Sequence, residues 1–530
     1  MEFTMIKLHP FLIFSCMIWA QALMADVDLD SIPDDNPTQL SSIPLLQSLK
    51  INHQQSQFYA PYVHELKNKY KVRTLFVESA ELPIVDIQLT FNAGSARDEE
   101  IAPGLYGLAN MAAKLIDEGT ENYTAYEIAS AFENVGARFS AQAYRDMFIV
   151  KLRVLSDPQK LEPALAMMME LLNHARFEKS SISLVLSNTQ VGQKQIQENP
   201  SRMMNILFYR ALYGKHAYAE PITGTQRSIS KITPAQLKQF SDQFLVAQNL
   251  NIAITGQLSP KLAQQLSERI AGNLKQGEKA KSLAQPVDKS SFDIRHIKFN
   301  STQAHVMMGQ LGPSRFDPDR LALEVANQMF GGSGFNSILM KELRIKRGLS
   351  YGAYSSFSFS QAPGSFSFSY STRQDQLLDS LQVAHQALVN FVKQPIDQKQ
   401  LEETKAGMLR AFPNNYSSNA NINAQLGSIG FYNQPADYLS NYPKLLEKIT
   451  AQDVQNAIQK HLHPERLTII VVNEKLDKDA LEALLKQDLD PQIPKNTPAI
   501  KQIPETIIAP VAEAVTDAPV SSPTDTPASI

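Results

Sequence analysis

The sequence predicts an α+β protein made of two similar domains, each with a mixed or antiparallel sheet and helices packed on it. Apolar side chains alternate with Asp86, Gln88 and Thr90 in the segment 84–92, which is the period of a half-buried strand. In the segment 104–120 apolar residues instead recur every three or four positions, which is typical of a helix with one buried face. Both patterns return along the chain, so we expect strands and helices in each domain.

An internal repeat indicates that the two domains arose by duplication. A helix predicted from Ile232 is followed by a strand at 250–255, and a helix predicted from Ile449 is followed by a strand at 467–472. The offset is constant, because 449 − 232 and 467 − 250 both equal 217. We therefore expect two related α/β-sandwich domains in one chain.

Length and charge narrow the possible functions. The chain has 530 residues, which is too long for one typical domain core. Its formal net charge is −3, which does not favour a nucleic-acid partner. After the N-terminal segment, no stretch holds 18 consecutive apolar residues, so we expect no transmembrane helix.

The N-terminus resembles a secretory signal. Lys7 supplies a positive charge, the segment 8–20 is mainly apolar, and Ala25 allows cleavage before Asp26. A lipoprotein signal that ends at Cys16 is the alternative. Since Cys16 is the only cysteine, the mature chain would contain no disulfide and no thiolate ligand. These features together predict a protein of the bacterial periplasm.

Changes of composition predict the domain boundaries. A polar lead-in precedes the first strands, a Lys-, Gln- and Ser-rich linker separates the halves, and a Pro-, Thr- and Ala-rich tail without periodicity follows the last helix. The predicted segments are a signal peptide at 1–25, a flexible lead-in at 26–58, an N-terminal domain at 59–274, a linker at 275–293, a C-terminal domain at 294–485 and a disordered tail at 486–530.

A regular strand pattern lies in the second half. Phe357, Phe359, Phe366 and Phe368 alternate with serines on either side of a Pro-Gly turn. This pattern predicts a hairpin with its Phe face buried and its Ser face exposed.

The segment 104–120, which reads GLYGLANMAAKLIDEGT, carries the first informative motif. Asn110 and Lys114 are four residues apart, and Ala113 lies beside them on the same face. The segment resembles the active-site helix of the pitrilysin (insulysin-type) zinc peptidases, whose H-x-x-E-H motif binds zinc through two His and activates water through Glu. The resemblance places Asn110 at the first His, Ala113 at the Glu and Lys114 at the second His.

The third zinc ligand of that family is also missing from the sequence. In the family it is a Glu just before a segment of this kind, and counting back from Pro200 places it at Gly192, or at Val191 or Gln193 if the count slips by one residue. None of these residues is an acid. An amide, a methyl group, an ammonium and a glycine cannot replace two imidazoles and two carboxylates. We therefore expect this chain to bind no zinc. Lys114 is predicted either to pair with Asp117 or Glu118, or to extend into solvent.

The second motif, LRIKRGLSY at 343–351, resembles the family segment whose Arg and Tyr bind the substrate. Those two positions fall on Arg344 and Tyr351. A guanidinium and a phenol can both donate hydrogen bonds to a peptide carbonyl. The resemblance thus identifies Arg344 and Tyr351 as substrate-binding residues.

The resemblance covers about 60–485 and implies the metalloenzyme fold shared by LuxS and the processing peptidases, with the two domains arranged as a clamshell around an unfolded peptide. It implies a non-catalytic subunit of a periplasmic heterodimeric zinc peptidase, whose homologous partner carries H-x-x-E-H and the zinc. A purely structural or binding scaffold of the same fold is the alternative, and an active peptidase with displaced zinc ligands is a third.

Overall fold

The computed structural model describes residues 60–332 and 334–489. The predicted signal peptide and lead-in, and all of the tail beyond residue 489, lie outside the described residues. Within the described ranges, none of the helices is both long and apolar enough to cross a membrane.

The first half is built on a six-stranded sheet. Its strand order is β1-β2-β6-β3-β5-β4, and β2 and β6 are the parallel pair in an otherwise antiparallel sheet. The strands are β1 (His64–Leu66), β2 (Arg73–Glu78), β3 (Ile84–Phe91), β4 (Arg138–Ala143), β5 (Phe148–Leu155) and β6 (Leu250–Gly256). The helices are α1 (Asp98–Ile101), α2 (Leu108–Leu115), α3 (Ala125–Glu133), α4 (Pro158–His174), α5 (Lys179–Gln197), α6 (Pro200–Tyr213), α7 (Gln226–Ile229), α8 (Pro234–Phe244) and α9 (Pro260–Asn273).

The second half is built on a five-stranded sheet with the order β7-β11-β8-β10-β9. Its strands are β7 (Asp293–Lys298), β8 (Gln303–Leu311), β9 (Ala353–Ser358), β10 (Ser365–Arg373) and β11 (Thr468–Asn473). Its helices are α10 (Arg320–Asn327), α11 (Leu377–Lys393), α12 (Gln398–Ala411), α13 (Asn419–Phe431), α14 (Tyr438–Lys448), α15 (Ala451–His461) and α16 (Lys478–Leu489), with π-helical segments at Gln328–Gly332 and Met340–Ile345.

The two halves share one topology, which confirms the predicted duplication. The order β2-β6-β3-β5-β4 corresponds strand by strand to β7-β11-β8-β10-β9, and β7 and β11 are again the parallel pair. The offset also persists in the helices, because the first positions of α8 and α15 differ by 451 − 234 = 217, and those of α6 and α13 differ by 419 − 200 = 219. Only β1 has no counterpart among the described strands of the second half.

The halves exchange one helix each. Helix α13 of the second half packs on β2, β3 and β6 of the first sheet, where a Cβ at Gly427 would collide with the Gln88 side chain. Helix α6 of the first half packs on β8 and β11 of the second sheet, where a Cβ at Gly309 would lie 2.7 Å from the Phe208 ring. Each sheet is therefore covered on one face by a helix from the other half.

This exchange makes two sequence predictions wrong. Asp86, Gln88 and Thr90 were expected on the exposed face of a half-buried strand, yet all three are buried. The Ser face of the Phe-rich hairpin was expected in solvent, yet Ser365 and Ser367 are buried as well, and Ser356 is the exposed one among the serines of this face. The alternation is present, but the polar faces are covered by α13 and α6.

The C-terminal boundary also differs from the prediction. The tail was expected from residue 486, whereas α16 continues to Leu489. The cause is a buried polar contact near the helix end, where the Asp488 carboxylate lies 3.0 Å from Nδ1 of the fully buried His385. The second ring nitrogen of His385 lies 3.0 Å from the Pro464 carbonyl oxygen, so both nitrogens have partners. This network secures the last helical turn.

Candidate functional site

The helix α2, which carries the altered motif, is held in place by a carboxylate from outside it. The buried Asp98 accepts hydrogen bonds from the N–H groups of Gly107 at 2.7 Å, Leu108 at 3.1 Å and Ala109 at 2.9 Å. These N–H groups have no partners within the helix, and the positive end of the helix dipole lies beside them. Burial raises the pKa of Asp98 to about 8, although the three N–H groups act in the opposite direction.

A glycine is required where this helix begins. Gly107 has φ of 93°, in the left-handed region, and a Cβ there would lie 2.9 Å from both the Thr223 carbonyl oxygen and the Ile229 side chain. The entry turn of α2 therefore depends on backbone contacts and on Asp98, and none of these requires a metal.

The structure brings the three altered positions of α2 to the side that faces α5. Ala113 is buried, Asn110 is half-buried, and Lys114 is exposed. The Asn110 Nδ2 is buried without a hydrogen-bond acceptor among the described residues. The Lys114 ammonium donates to the Thr189 hydroxyl over 3.4 Å, and that hydroxyl donates to the Val185 carbonyl oxygen over 2.7 Å.

The suggested pairing of Lys114 with Asp117 or Glu118 is wrong. No carboxylate of the described ranges lies within 4.0 Å of the Lys114 ammonium, whose partner is the neutral hydroxyl of Thr189. The ammonium therefore bridges α2 and α5 through one long hydrogen bond, and the rest of the side chain stays in solvent.

The residue of α5 that faces Lys114 is Thr189, three positions before Gly192. A Cβ at Gly192 would contact nothing within 4 Å, so this position does not pack against α2. Counting back from Pro200 could not find Thr189, because a count along the chain does not show which face of α5 meets α2. Lys114 and Thr189 lie far apart in the sequence, on helices separated by two strands and two further helices, and no local sequence pattern connects them.

The side chains at this site are not of the kinds that bind zinc. Protein zinc sites use Cys, His, Asp or Glu, and Asn110, Ala113, Lys114 and Thr189 include none of these. The Asn110 amide nitrogen has no acceptor and the Lys114 ammonium donates to Thr189, so both groups present N–H donors and not lone pairs. These side chains therefore support no metal-dependent step at this site.

A second cluster of possible ligands among the described residues is already neutralised by cations of the chain. Asp317, Asp319 and His461 lie close enough to share an ion. However, the Lys460 ammonium lies 2.7 Å from the Asp319 carboxylate, and the His461 ring lies 3.0 Å from the same group. These contacts join the start of α10 to the end of α15, which is a structural role.

The predicted substrate-binding pair is assembled by one turn of the second half. The segment Met340–Ile345 ends in a reversal where Gly348 has φ of 61° and Leu349 N–H donates to the Leu343 carbonyl oxygen over 2.7 Å. Both leucines are buried, which anchors the turn. The reversal brings Tyr351 back over Arg344.

Arg344 and Tyr351 are in direct contact. Arg344 Nη1 donates to the Tyr351 carbonyl oxygen over 2.8 Å, and the guanidinium carbon lies 4.2 Å from the centre of the Tyr351 ring. The Tyr351 side chain is nevertheless 85% exposed, and the described residues offer its hydroxyl no hydrogen-bond partner. The spacing of seven residues thus produces one surface feature with free donors.

Phe335 is a third member of this feature that the sequence did not reveal. Its ring centre lies 4.6 Å from the Arg344 guanidinium carbon, so the cation is in contact with Phe335 and Tyr351. Phe335 is 59% exposed. The sequence offers one signal for this residue, since an aromatic side chain directly follows the Gly-rich stretch 331–334.

The fold and the site together define a peptidase-like protein that retains a two-domain metallopeptidase architecture and lacks the metal-binding side chains. Residues 73–226 match the family model described as insulinase, peptidase family M16, and residues 231–408 match the model described as the peptidase M16 inactive domain. The chain belongs to peptidase family M16, which confirms the resemblance seen in the sequence.

Known relatives agree with this assignment. A solved structure of a peptidase M16 inactive domain from Pseudomonas fluorescens is 34% identical, with a TM-score of 0.74, over 78% of this chain and 98% of that chain. An uncharacterized zinc protease of Rickettsia bellii is 27% identical over 64% of this chain and 79% of its own length. A Helicobacter pylori protein named non-peptidase homolog YmxG is 23% identical over 78% of this chain and 95% of its own length. Both protease and non-peptidase names therefore occur among the relatives.

Proposed function

We propose that this chain is the non-catalytic subunit of a periplasmic heterodimeric zinc peptidase. The partner is a homologous subunit with an intact H-x-x-E-H motif, which binds the zinc and activates the water. This chain contributes Arg344 and Tyr351, which hold an unfolded peptide substrate beside the partner's metal. The chain itself needs no cofactor for this role.

One observation carries the proposal. The first half retains the helix but not the metal-binding side chains, and the second half retains the predicted substrate-binding side chains. The first half has the helix and its Asp98 support but no metal-binding side chain at 110, 113, 114 or 189. The second half carries an exposed tyrosine and a half-buried arginine, both with free donors, on one turn. Exposed, pre-organised donors are suited to binding a ligand, and the catalytic metal would then come from another chain.

The names of the relatives support the non-catalytic part of the proposal. The M16 inactive domain from Pseudomonas fluorescens and the non-peptidase homolog of Helicobacter pylori match most of their lengths to this chain. The periplasmic part rests on the secretory signal predicted at 1–25.

A scaffold without any substrate is the second candidate, and one contact favours it. Arg344 Nη1 is already bonded to the Tyr351 carbonyl oxygen, and the guanidinium stacks on two rings, so the group also stabilises its own turn. A scaffold would use the stack for folding alone.

Reconstitution tests the proposal. The chain, the homologous subunit with H-x-x-E-H, and the mixture of the two are assayed for zinc content, complex formation and hydrolysis of an unfolded peptide. We expect one zinc per heterodimer, located in the partner, and hydrolysis that requires both chains. Full activity of the partner alone, or about one zinc per chain in this protein alone, would contradict the proposal.

A further inference from the structure

We propose that the stack formed by Phe335, Arg344 and Tyr351 is a receptor for a carboxylate group of the bound peptide, and that Phe335 is one of its binding residues. This inference rests on the proposed function, because it names the group on the peptide that Arg344 recognises. The carboxylate comes either from the peptide C-terminus or from an Asp or Glu side chain.

The contacts of Arg344 leave one edge of its guanidinium available. The Tyr351 and Phe335 rings lie 4.2 and 4.6 Å from the guanidinium carbon, and Nη1 donates to the Tyr351 carbonyl oxygen. Nε and Nη2 have no hydrogen-bond partner among the described residues. Their two N–H groups are parallel, which matches the two oxygens of a carboxylate better than the single oxygen of a peptide carbonyl.

The charge around Arg344 also favours an anion. The segment 341–347 contains four cations, Lys341, Arg344, Lys346 and Arg347, and one anion, Glu342, so its net charge is 4 − 1 = +3. The whole chain has a net charge of −3, so this turn is a positive region on an acidic protein.

The one local carboxylate is engaged elsewhere. Glu342 lies 2.6 Å from the Lys346 ammonium and 2.6 Å from the Arg347 guanidinium. Partial burial raises the pKa of Glu342, but these two bonds outweigh it and hold the pKa below its usual value. Arg344 has no ion pair with any carboxylate that the structure describes.

Phe335 determines how well the receptor is organised. An arginine side chain has several rotatable bonds, and stacking between two rings reduces the conformational freedom that a ligand would otherwise have to remove. The two exposed rings also provide apolar walls beside the charged edge. A carboxylate next to an apolar residue therefore fits this receptor.

Direct binding to the full-length chain, without the partner, tests the inference. The probe is an acetylated short peptide of Gly and Ser that ends in Phe, prepared as the free acid, as the C-terminal amide, and as the amide with one internal Glu. Titration calorimetry is expected to show binding of the free acid or of the Glu peptide about 10- to 100-fold tighter than binding of the plain amide, as expected for charge-assisted hydrogen bonds. The carboxylate peptide that binds identifies the source.

Two variants and one matched control separate recognition from folding. Arg344→Lys keeps the charge but loses the parallel donors, so the preference for carboxylate over amide should fall about tenfold. Phe335→Ala should reduce this preference about threefold, the size of an exposed cation–π contact. Phe316→Ala is the control, because Phe316 is also 59% exposed in the same half but contacts Tyr432 instead of Arg344. It should leave the preference unchanged.

The result that would overturn the inference is equal binding of all three peptides, or a preference that survives both Arg344→Lys and Phe335→Ala. Thermal unfolding of each variant confirms that the loss is not a loss of folding. A carboxylate preference in the isolated chain, with no dependence of the heterodimer's hydrolysis on this chain, would leave the receptor in place and refute the proposed function alone.

Discussion

The two halves of this protein have the same strand order and helix offsets, yet they differ in what they have kept. The first half retains a helix that resembles a metal-binding helix, with Asp98 and Gly107 in place, but it has no metal-binding side chain at Asn110, Lys114 or Thr189. The second half retains the two predicted substrate-binding residues, Arg344 and Tyr351, in contact on one turn. The difference shows that the helix owes its position to packing and to Asp98, so the fold persists without a metal.

The largest effect is expected when zinc ligands are introduced into the first half, since this would remove its main difference from an active peptidase. The variant Asn110→His, Lys114→His and Thr189→Glu places three zinc ligands on faces that the Lys114–Thr189 contact shows to be within reach. We expect zinc binding with a Kd of about 1 μM or tighter, which corresponds to about 8 kcal/mol. Competition with a coloured zinc chelator measures it.

The matched control carries the same two His with Gly192→Glu in place of Thr189→Glu. Because Gly192 does not pack against α2, zinc should bind this control at least about tenfold more weakly, the loss of roughly 1.4 kcal/mol. Equal affinity of the two variants would show that Gly192, not Thr189, is the third position.

In the second half, the expected effect is on catalysis by the heterodimer. Arg344→Ala or Tyr351→Phe should lower peptide turnover by about 100- to 1,000-fold with assembly unchanged, because the first removes a group that holds the peptide in place and the second removes a donor to the reacting carbonyl. Arg344→Lys should restore little, because an ammonium cannot copy a planar fork of donors. Gel filtration of each mixture reports assembly separately.

Arg347→Ala is the control for that pair, since Arg347 lies on the same turn but is engaged with Glu342. It should leave turnover within about twofold of wild type, as expected for a surface ion pair. If all three variants behave alike, Arg344 and Tyr351 stabilise the turn and do not bind substrate.

A smaller effect, on the free energy of unfolding, is expected when Asp98, which supports α2, is replaced. Asp98→Ala removes the acceptor of three buried N–H groups at the start of α2, so the free energy of unfolding should fall by about 2–3 kcal/mol. Asp98→Asn keeps one carbonyl acceptor and should cost less. Urea unfolding measures both, and a loss below about 0.5 kcal/mol for the Ala variant would mean that packing alone positions α2.

The smallest effect is expected at Lys114. Its ammonium is exposed and makes one hydrogen bond of 3.4 Å, so Lys114→Met should change the free energy of unfolding by less than about 0.5 kcal/mol. Turnover of the heterodimer should also stay unchanged. A loss above about 1 kcal/mol would assign Lys114 a structural role across α2 and α5.

The sequence predicted the duplication, the strands and the position of the altered helix, because these depend on local periodicity and on repeated spacing. It failed where a distant segment decides the environment. Ser365 and Ser367 alternate like an exposed strand face and are buried by α6, which belongs to the other half of the chain and ends at Tyr213. The C-terminal boundary failed for the same reason, because Asp488 is held by His385.

The candidate site shows the same limit. Arg344 and Tyr351 were found because they lie seven residues apart in one recognisable segment. Thr189 and Phe335 were missed because each meets its partner only in the folded chain, Thr189 between α2 and α5, and Phe335 on the segment that leads to Arg344. Contacts of this kind produce no periodic pattern in the sequence.

The exchanged helices also mean that each sheet is completed only when a segment from the other half packs on it. The first sheet has all its strands once Gly256 is made, but the helix that covers its second face begins only at Asn419, a difference in position of 419 − 256 = 163. At synthesis rates of roughly 5–20 residues per second, α13 is made about 8 to 33 s after the last strand of this sheet. The face that α13 covers carries the polar residues Asp86, Gln88 and Thr90 together with the apolar residues Leu75 and Val77. The polar residues that mislead the strand prediction therefore reduce the apolar area that this face exposes until α13 packs on it.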